Sequence, residues 1–155
     1  GWKEETGGIM TVLPIIKGEE TEVLRTKAAT VLQVTKEILK LIKNMEETVK
    51  KAEGLGLAAP QIGQSVRVCL VMLHGKMTPM INPEITWRSE EATVMTEGCL
   101  SLPKIEVEVT RPVEVIVKYT NKKGQEQERR LHDLDAKVMQ HEFDHLNGVL
   151  IVDYQ

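Results

Sequence analysis

Aromatic side chains are nearly missing from this 155-residue chain, which has two Trp, two Tyr and a single Phe. Stacked rings therefore cannot build the core, and Leu, Val, Ile and seven Met residues must fill it. Cysteine is also sparse: Cys69 and Cys99 supply no disulfide framework and point to a reducing compartment. Positive charge is not in excess. Twenty Lys and Arg against 23 Asp and Glu leave a net −3, which gives no basic field for direct nucleic-acid binding. The Lys-rich stretch 36–51 is interleaved with Glu37, Glu46 and Glu47 and reads as a solvated helix face. No apolar run approaches the ~20 residues of a membrane span, and the opening Gly1-Trp2-Lys3-Glu4-Glu5 lacks the apolar core of a signal peptide. With no internal repeat, linker or low-complexity segment either, residues 1–155 are expected to form one domain, long enough to bury a sizeable core.

The remaining pattern alternates helix and sheet signals. Leu24 opens a short turn reaching Ala29. Thr35 is placed to cap a long helix ending at Ala52, in which Ile38, Leu41, Ile42, Met45, Val49 and Ala52 follow amphipathic spacing and Gly54 stands at the terminator position. Six β-branched runs follow, at 66–73, 76–81, 91–95, 105–110, 113–119 and 125–131. His74-Gly75 reads as a hairpin tip and Asn121-Lys122-Lys123-Gly124 as a hairpin loop. Asp133 or Asp135 can cap a final helix and Gly148 can end it. Strands joined mostly by short turns predict an α+β class, with antiparallel sheets packed around the C-terminal helix and an N-terminal amphipathic helix.

That final helix carries Gln140-His141-Glu142-Phe143-Asp144-His145, an H-E-x-x-H run. Residues four apart share a helix face, so His141 and His145 can grip one metal ion while Glu142 reaches the water beside it. A catalytic centre of this kind needs a third protein ligand. Downstream, Ile151 fills the place where a third His would stand, and Asp153 is the sole carboxylate left. Upstream, Cys69 lies in an apolar run where a thiol behaves as a small hydrophobe, and His74 belongs to a solvated turn. His132 is too far along the helix axis at ~1.5 Å per residue. Cys99, in Glu97-Gly98-Cys99-Leu100-Ser101-Leu102-Pro103, differs, because Gly and Pro imply an irregular backbone able to present a thiolate and a free N–H to one point.

A third segment is Gly54-Leu55-Gly56-Leu57-Ala58-Ala59-Pro60-Gln61. It formally matches the loose dinucleotide fingerprint G-x-G-x-x-A, yet it follows a helix and runs into Pro60, the wrong context for a cofactor loop. A plain helix-ending turn is the stronger rival. Gln61 sets the segment apart, since a side-chain N–H can stabilise an oxyanion.

Taken together, the G-x-G-φ-A-A-x-Q loop, the E-G-C-L-S segment and the Q-H-E-x-D-H helix make the chain resemble the peptide deformylases from about Ile9 to Asp153. The resemblance implies that Cys99, His141 and His145 bind one divalent ion, Fe(II) physiologically, with Zn, Ni or Co possible in purified protein. It further implies that Glu142 takes a proton from the attacking water and returns it to the leaving amine, and that Gln61 and the Leu100 backbone N–H face the formyl oxygen. Leu55, Glu97, Leu134, Val138 and His141 then line the methionine pocket, and Gly56 pairs its backbone with the substrate. Asp144 and Glu97, each beside a ligand segment, can orient ligands or neighbouring basic side chains. The implied reaction removes formyl from formyl-methionine of newly made polypeptides, releasing formate, with nascent chains near the ribosome as partners, a monomer as the working unit and bacterial or phage-infected bacterial cytoplasm as the location. Asp135 departs from the Leu common among such proteins, Lys104-Ile105-Glu106 from a basic or small residue, and the chain ends soon after the metal helix. Two other classes are considered: an H-E-x-x-H peptidase, which needs an extended groove, and a non-catalytic deformylase-like binding protein, which would usually have lost a ligand, Glu142 or Gln61.

Overall fold

The computed structural model describes residues 12–155, together with the backbone of two short paired strands, β1 (Trp2–Lys3) and β2 (Ile9–Met10). Of the opening residues 1–5, read above for signal character, the rest lie outside the described residues. The chain continues through α1 (Glu22–Arg25), α2 (Lys36–Lys51), β3 (Gly56–Ala58), a 3-10 turn (Ala59–Ile62), β4 (Val68–Leu73), β5 (Lys76–Arg88), β6 (Ala92–Cys99), β7 (Leu102–Pro112), β8 (Glu114–Thr120), β9 (Glu126–His132), α3 (Asp133–Leu146) and a second 3-10 turn (Ile151–Tyr154). The class is mixed α and β. Among the described residues the pairings between these strands are antiparallel, in a five-stranded sheet ordered β3-β4-β5-β8-β9 and a separate β6-β7 hairpin, with one isolated parallel bridge from Ala29 to Val66.

Strand β4 explains the layering. Its side chains alternate between two apolar clusters: Cys69, Val71 and Leu73 join Ala136, Met139 and Leu146 of α3, whereas Val68 and Leu70 join Ile42, Met45 and Val49 of α2. A strand covered on both faces must be apolar at every position, so Val68–Leu73 shows no polar alternation. A third cluster ties the β6-β7 hairpin region to both ends of the described chain, through Leu102, Val107 and Val109 against Leu24, Leu150 and Ile151.

Several boundaries differ from expectation. The run at 76–81 continues to Arg88, because Asn82 takes a positive φ of 51° and the register slips between Ile81 and Glu84. Pro83, with no N–H to offer, thus sits in a bulge. The Asn82 side chain compensates by exchanging two hydrogen bonds of 2.8 Å with the Val31 backbone. At the end of α2 the left-handed residue is Glu53 (φ 56°), not Gly54. The Glu53 N–H donates to the Lys50 carbonyl and the Gly54 N–H to the Val49 carbonyl, the Schellman pattern one residue earlier than the glycine suggests. The early helical turn is Glu22–Arg25, beginning two residues before the expected Leu24 and ending four before Ala29. His132 is the N-cap of α3, and Asp133 and Asp135 lie inside the first turn, where carboxylates suit the positive end of the helix dipole. Gly148 follows α3 at φ 74°, and a Cβ there would collide with the Arg25 carbonyl.

Candidate metal centre

Strand β6 and helix α3 meet at the site. The irregular backbone expected around Cys99 is a strand end followed by a tight Leu100-Ser101 turn. Cys99 pairs with Leu102, and the register slip after Gly98 leaves Pro103, Lys104 (φ 68°) and Ile105 as a bulge. This slip brings the Cys99 thiol over α3, 3.3 Å from His145 Nε2. One donor atom each from Cys99, His141 and His145 lies within 4.8 Å of the others. A tetrahedral ion with bonds of ~2.3 Å to sulfur and ~2.0 Å to nitrogen would hold those two atoms about 3.5 Å apart, so the spacing fits one ion. A thiolate with two imidazoles suits Fe(II), Zn or Ni by softness.

The two rings are held differently. His141 Nδ1 lies 3.1 Å from Glu97 Oε1, leaving Nε2 for the centre. Glu97 is buried and gripped in a fork by Arg111, whose Nε and Nη2 donate to its two oxygens at 2.6 and 2.9 Å, while Nη1 donates to Asp144 at 2.9 Å. Burial alone would raise the Glu97 pKa, but the hydrogen bonds from His141 and Arg111 outweigh it and hold the carboxyl at about 2. His141 is opposed by burial as well, yet hydrogen bonds to Cys99 and Glu97 lift it to about 10. His145, by contrast, is pushed well below its ordinary value by burial and by the charges of His141 and Arg111, and its Nδ1 has no hydrogen-bond partner among the described residues.

Glu142 is 4% exposed, and its Oε1 likewise lacks a partner among the described residues. Burial raises its pKa to about 7, with His141 opposing, a value suited to exchanging protons near neutrality. Gly56 on β3 leaves room for it: a Cβ there would come 2.6 Å from Glu142 Oε2 and 2.8 Å from the Leu70 carbonyl. Gln61, on the 3-10 turn, has its amide direction fixed. Its Oε1 accepts from the Ala58 N–H at 2.9 Å, so Nε2 donates to Ser101 Oγ at 3.2 Å and stands 3.9 Å from Cys99 Sγ.

These groups surround a hollow of about 380 Å³. Each of the eleven site residues singled out from the sequence touches it or the donor cluster: Leu55, Gly56, Gln61, Glu97, Cys99, Leu100, Leu134, Val138, His141 and Glu142 line the hollow, and His145 lies behind Cys99. Glu97, expected to line a methionine pocket, is chiefly engaged by Arg111 and His141. Sequence reasoning passed over Lys137, which lines the hollow and donates to the Thr96 carbonyl (3.3 Å), and Ser101, which is fully buried against Gln61. Arg111 was not among the site residues expected from the sequence. Its single usable signal was the alternation Ile105, Val107, Val109, which puts Arg111 on the buried face of the strand, where a guanidinium must find carboxylates. Cys69 is buried as expected and its thiol is pushed up, first by desolvation and then by Glu142. His74 is an exposed hairpin-tip residue, and His132 lies 3.6 Å from Glu114. No helix among the described residues is long and apolar enough to cross a membrane.

Comparison with known proteins gives a consistent answer. Residues 12–155 match the family model described as polypeptide deformylase. A peptide deformylase from Pseudothermotoga lettingae is 48% identical over 131 residues, covering 84% of this chain and 76% of that protein. Another from Natranaerobius thermophilus is 42% identical over 139 residues, 89% of each. Among solved structures, the peptide deformylase of Thermotoga maritima superposes with a TM-score of 0.89 at 42% identity, covering 92% of this chain and 97% of that one. The Met-Ala-Ser-bound class I type b peptide deformylase of Acinetobacter baumannii does so with 0.89 at 33% identity, over 95% and 100%.

Proposed function

The chain belongs to the polypeptide deformylase family, and on that premise we propose a division of labour among its residues. Its reaction is the removal of the formyl group from nascent polypeptides. Cys99, His141 and His145 would hold one divalent ion, Fe(II) physiologically and Zn, Ni or Co in purified protein. When bound, such an ion supplies a Lewis acid that polarises the formyl carbonyl and acidifies water. Glu142 accepts the proton of the attacking water and delivers it to the departing α-amine, giving formate and a free N-terminus. The Gln61 amide, turned by Ala58, and the Leu100 backbone N–H stabilise negative charge on the formyl oxygen. Leu55, Leu134 and Val138 receive the methionine side chain, Gly56 offers its backbone to the peptide, and Glu97 steadies His141 at the pocket's edge. Residues 1–155 act as one catalytic domain and a monomer, on N-formyl-methionyl chains near the ribosome in the cytoplasm.

The observation that carries this reading is the convergence of one thiol and two imidazoles beside an unpartnered buried carboxylate in one hollow. Rates of formate release from formyl-Met-Ala-Ser, acetyl-Met-Ala-Ser and a formyl-Asp analogue test it. The formyl-Met peptide is expected to lead formyl-Asp by at least about tenfold in kcat/KM, since a carboxylate would enter an apolar pocket unpaired, and to lead the acetyl peptide by more. Equal rates on all three would refute the reading, and cleavage of unformylated peptides would favour a peptidase.

A further inference from the structure

The charged arm behind His141 does not stop at Arg111. Asp144 Oδ2, which accepts from Arg111 Nη1 at 2.9 Å, also accepts the Tyr154 hydroxyl at 2.6 Å. The Tyr154 ring lies over the Arg111 guanidinium, 5.0 Å from Cζ to the ring centre. Tyr154 reaches this place from the 3-10 turn Ile151–Tyr154, which Leu150 and Ile151 anchor in the cluster with Leu24, Leu102 and Val109.

These contacts close a circuit. Helix α3 contributes Asp144, β7 Arg111, β6 Glu97, and the circuit returns to α3 at His141. Glu97 and Arg111 have side chains only 1% and 7% exposed, so their geometry is fixed by burial. Asp144 is 20% exposed and is the joint where water can compete for the carboxylate. A hydroxyl on the same oxygen that takes the Arg111 hydrogen bond, and a ring against the guanidinium face, restrain that joint from two directions.

We propose that Tyr154 is a positioning residue for the metal centre: by fixing Asp144 and the face of Arg111 it keeps Glu97 against His141 Nδ1, and so sets the direction of that ring's other nitrogen. The proposal rests on the reading of His141 as a ligand. Hydrogen bonds behind metal-binding imidazoles commonly govern affinity by ten- to a hundredfold, and a group one joint further out should govern a fraction of that.

The test uses the full chain loaded with Co(II). The cobalt dissociation constant is measured by chelator competition, the thiolate–cobalt and d–d absorption bands are recorded, and kcat and KM are determined separately. Tyr154→Phe, which keeps the ring and removes the hydroxyl, is expected to weaken cobalt binding by about three- to tenfold, shift the d–d bands and lower kcat several-fold with KM little changed. Tyr154→Leu should do more. In an Asp144→Ala background, Tyr154→Phe should add nothing, because the hydroxyl's partner is already gone. Unchanged affinity and bands in Tyr154→Phe, beside a normal wild-type spectrum, would overturn the proposal even if thermal stability fell, as would full additivity with Asp144→Ala. A wild-type protein without the thiolate–cobalt band would overturn the metal reading, and this proposal with it.

Discussion

His141 and His145 stand four residues apart on α3 and contribute to one cluster, yet their surroundings are opposite. His141 is backed by a line of charges, Glu97, Arg111 and Asp144, and is driven toward the protonated form. His145 is 1% exposed, has no partner for Nδ1 among the described residues, and is driven toward the neutral form. One imidazole is aimed by hydrogen bonds, the other by burial. The first arm confers direction at the cost of depending on distant residues; the second needs only a tight fit, and its neutral ring is a ligand without first losing a proton.

The largest expected effect comes from a group belonging to neither arm. Glu142→Ala should leave both imidazoles and the metal in place while turnover falls by roughly 10²–10⁴-fold, the usual reach of a general acid–base group. Near-normal kcat in metal-replete Glu142→Ala protein, measured by formate release, would assign the proton transfer elsewhere.

Breaking the charged arm alone is the sharper comparison. Glu97→Gln should weaken metal binding by about ten- to a hundredfold, and it should also flatten acid unfolding. The Glu97 carboxyl sits at about 2 in the folded chain against an ordinary 4.5, a depressed value. Its contribution is therefore fully present above pH 4.5 and is lost as the pH falls through 2, on the order of 3 kcal/mol. Denaturant midpoints measured from pH 6 to pH 2 should show that slope in the wild type and lose it in Glu97→Gln; parallel profiles would mean that the pair contributes no net stability.

A smaller change presses on Glu142 from the sheet side. Gly56→Ala places a methyl 2.6 Å from the carboxylate and 2.8 Å from the Leu70 carbonyl, and only one of these can swing away. A loss of about 1–3 kcal/mol in stability is expected, with reduced kcat. Retained wild-type kcat and midpoint would show that β3 yields freely. The smallest effect belongs to Arg25–Asp153, an ion pair with both side chains about one-third exposed. Asp153→Asn should change stability by under about 1 kcal/mol; a larger loss would mean that exposed and buried pairs in this molecule cannot be told apart by burial.

The same contrast governs what the sequence could reveal. The His141–His145 spacing, the hairpin at Asn121 and the Thr35 cap are local patterns, legible because helix and turn geometry act over a few residues. The Gln61 loop and Cys99 segment stood out through the company of the helix motif, since the structure alone brings residues 61 and 99 to within 3.9 Å. The charged arm was nearly invisible. Arg111 meets partners 14 and 33 positions away, and nothing in their local context says which carboxylate it will choose. Asn82 and Glu53 took backbone roles that glycine normally fills, so the end of β5 and the exact stop of α2 were misplaced.

The claim that Cys99, His141 and His145 form one metal centre is tested most directly by elemental analysis of anaerobically purified wild-type, Cys99→Ala and Glu142→Ala proteins. The account predicts one divalent ion per chain in the wild type and in Glu142→Ala, and far less than one in Cys99→Ala. Full occupancy in Cys99→Ala would contradict it.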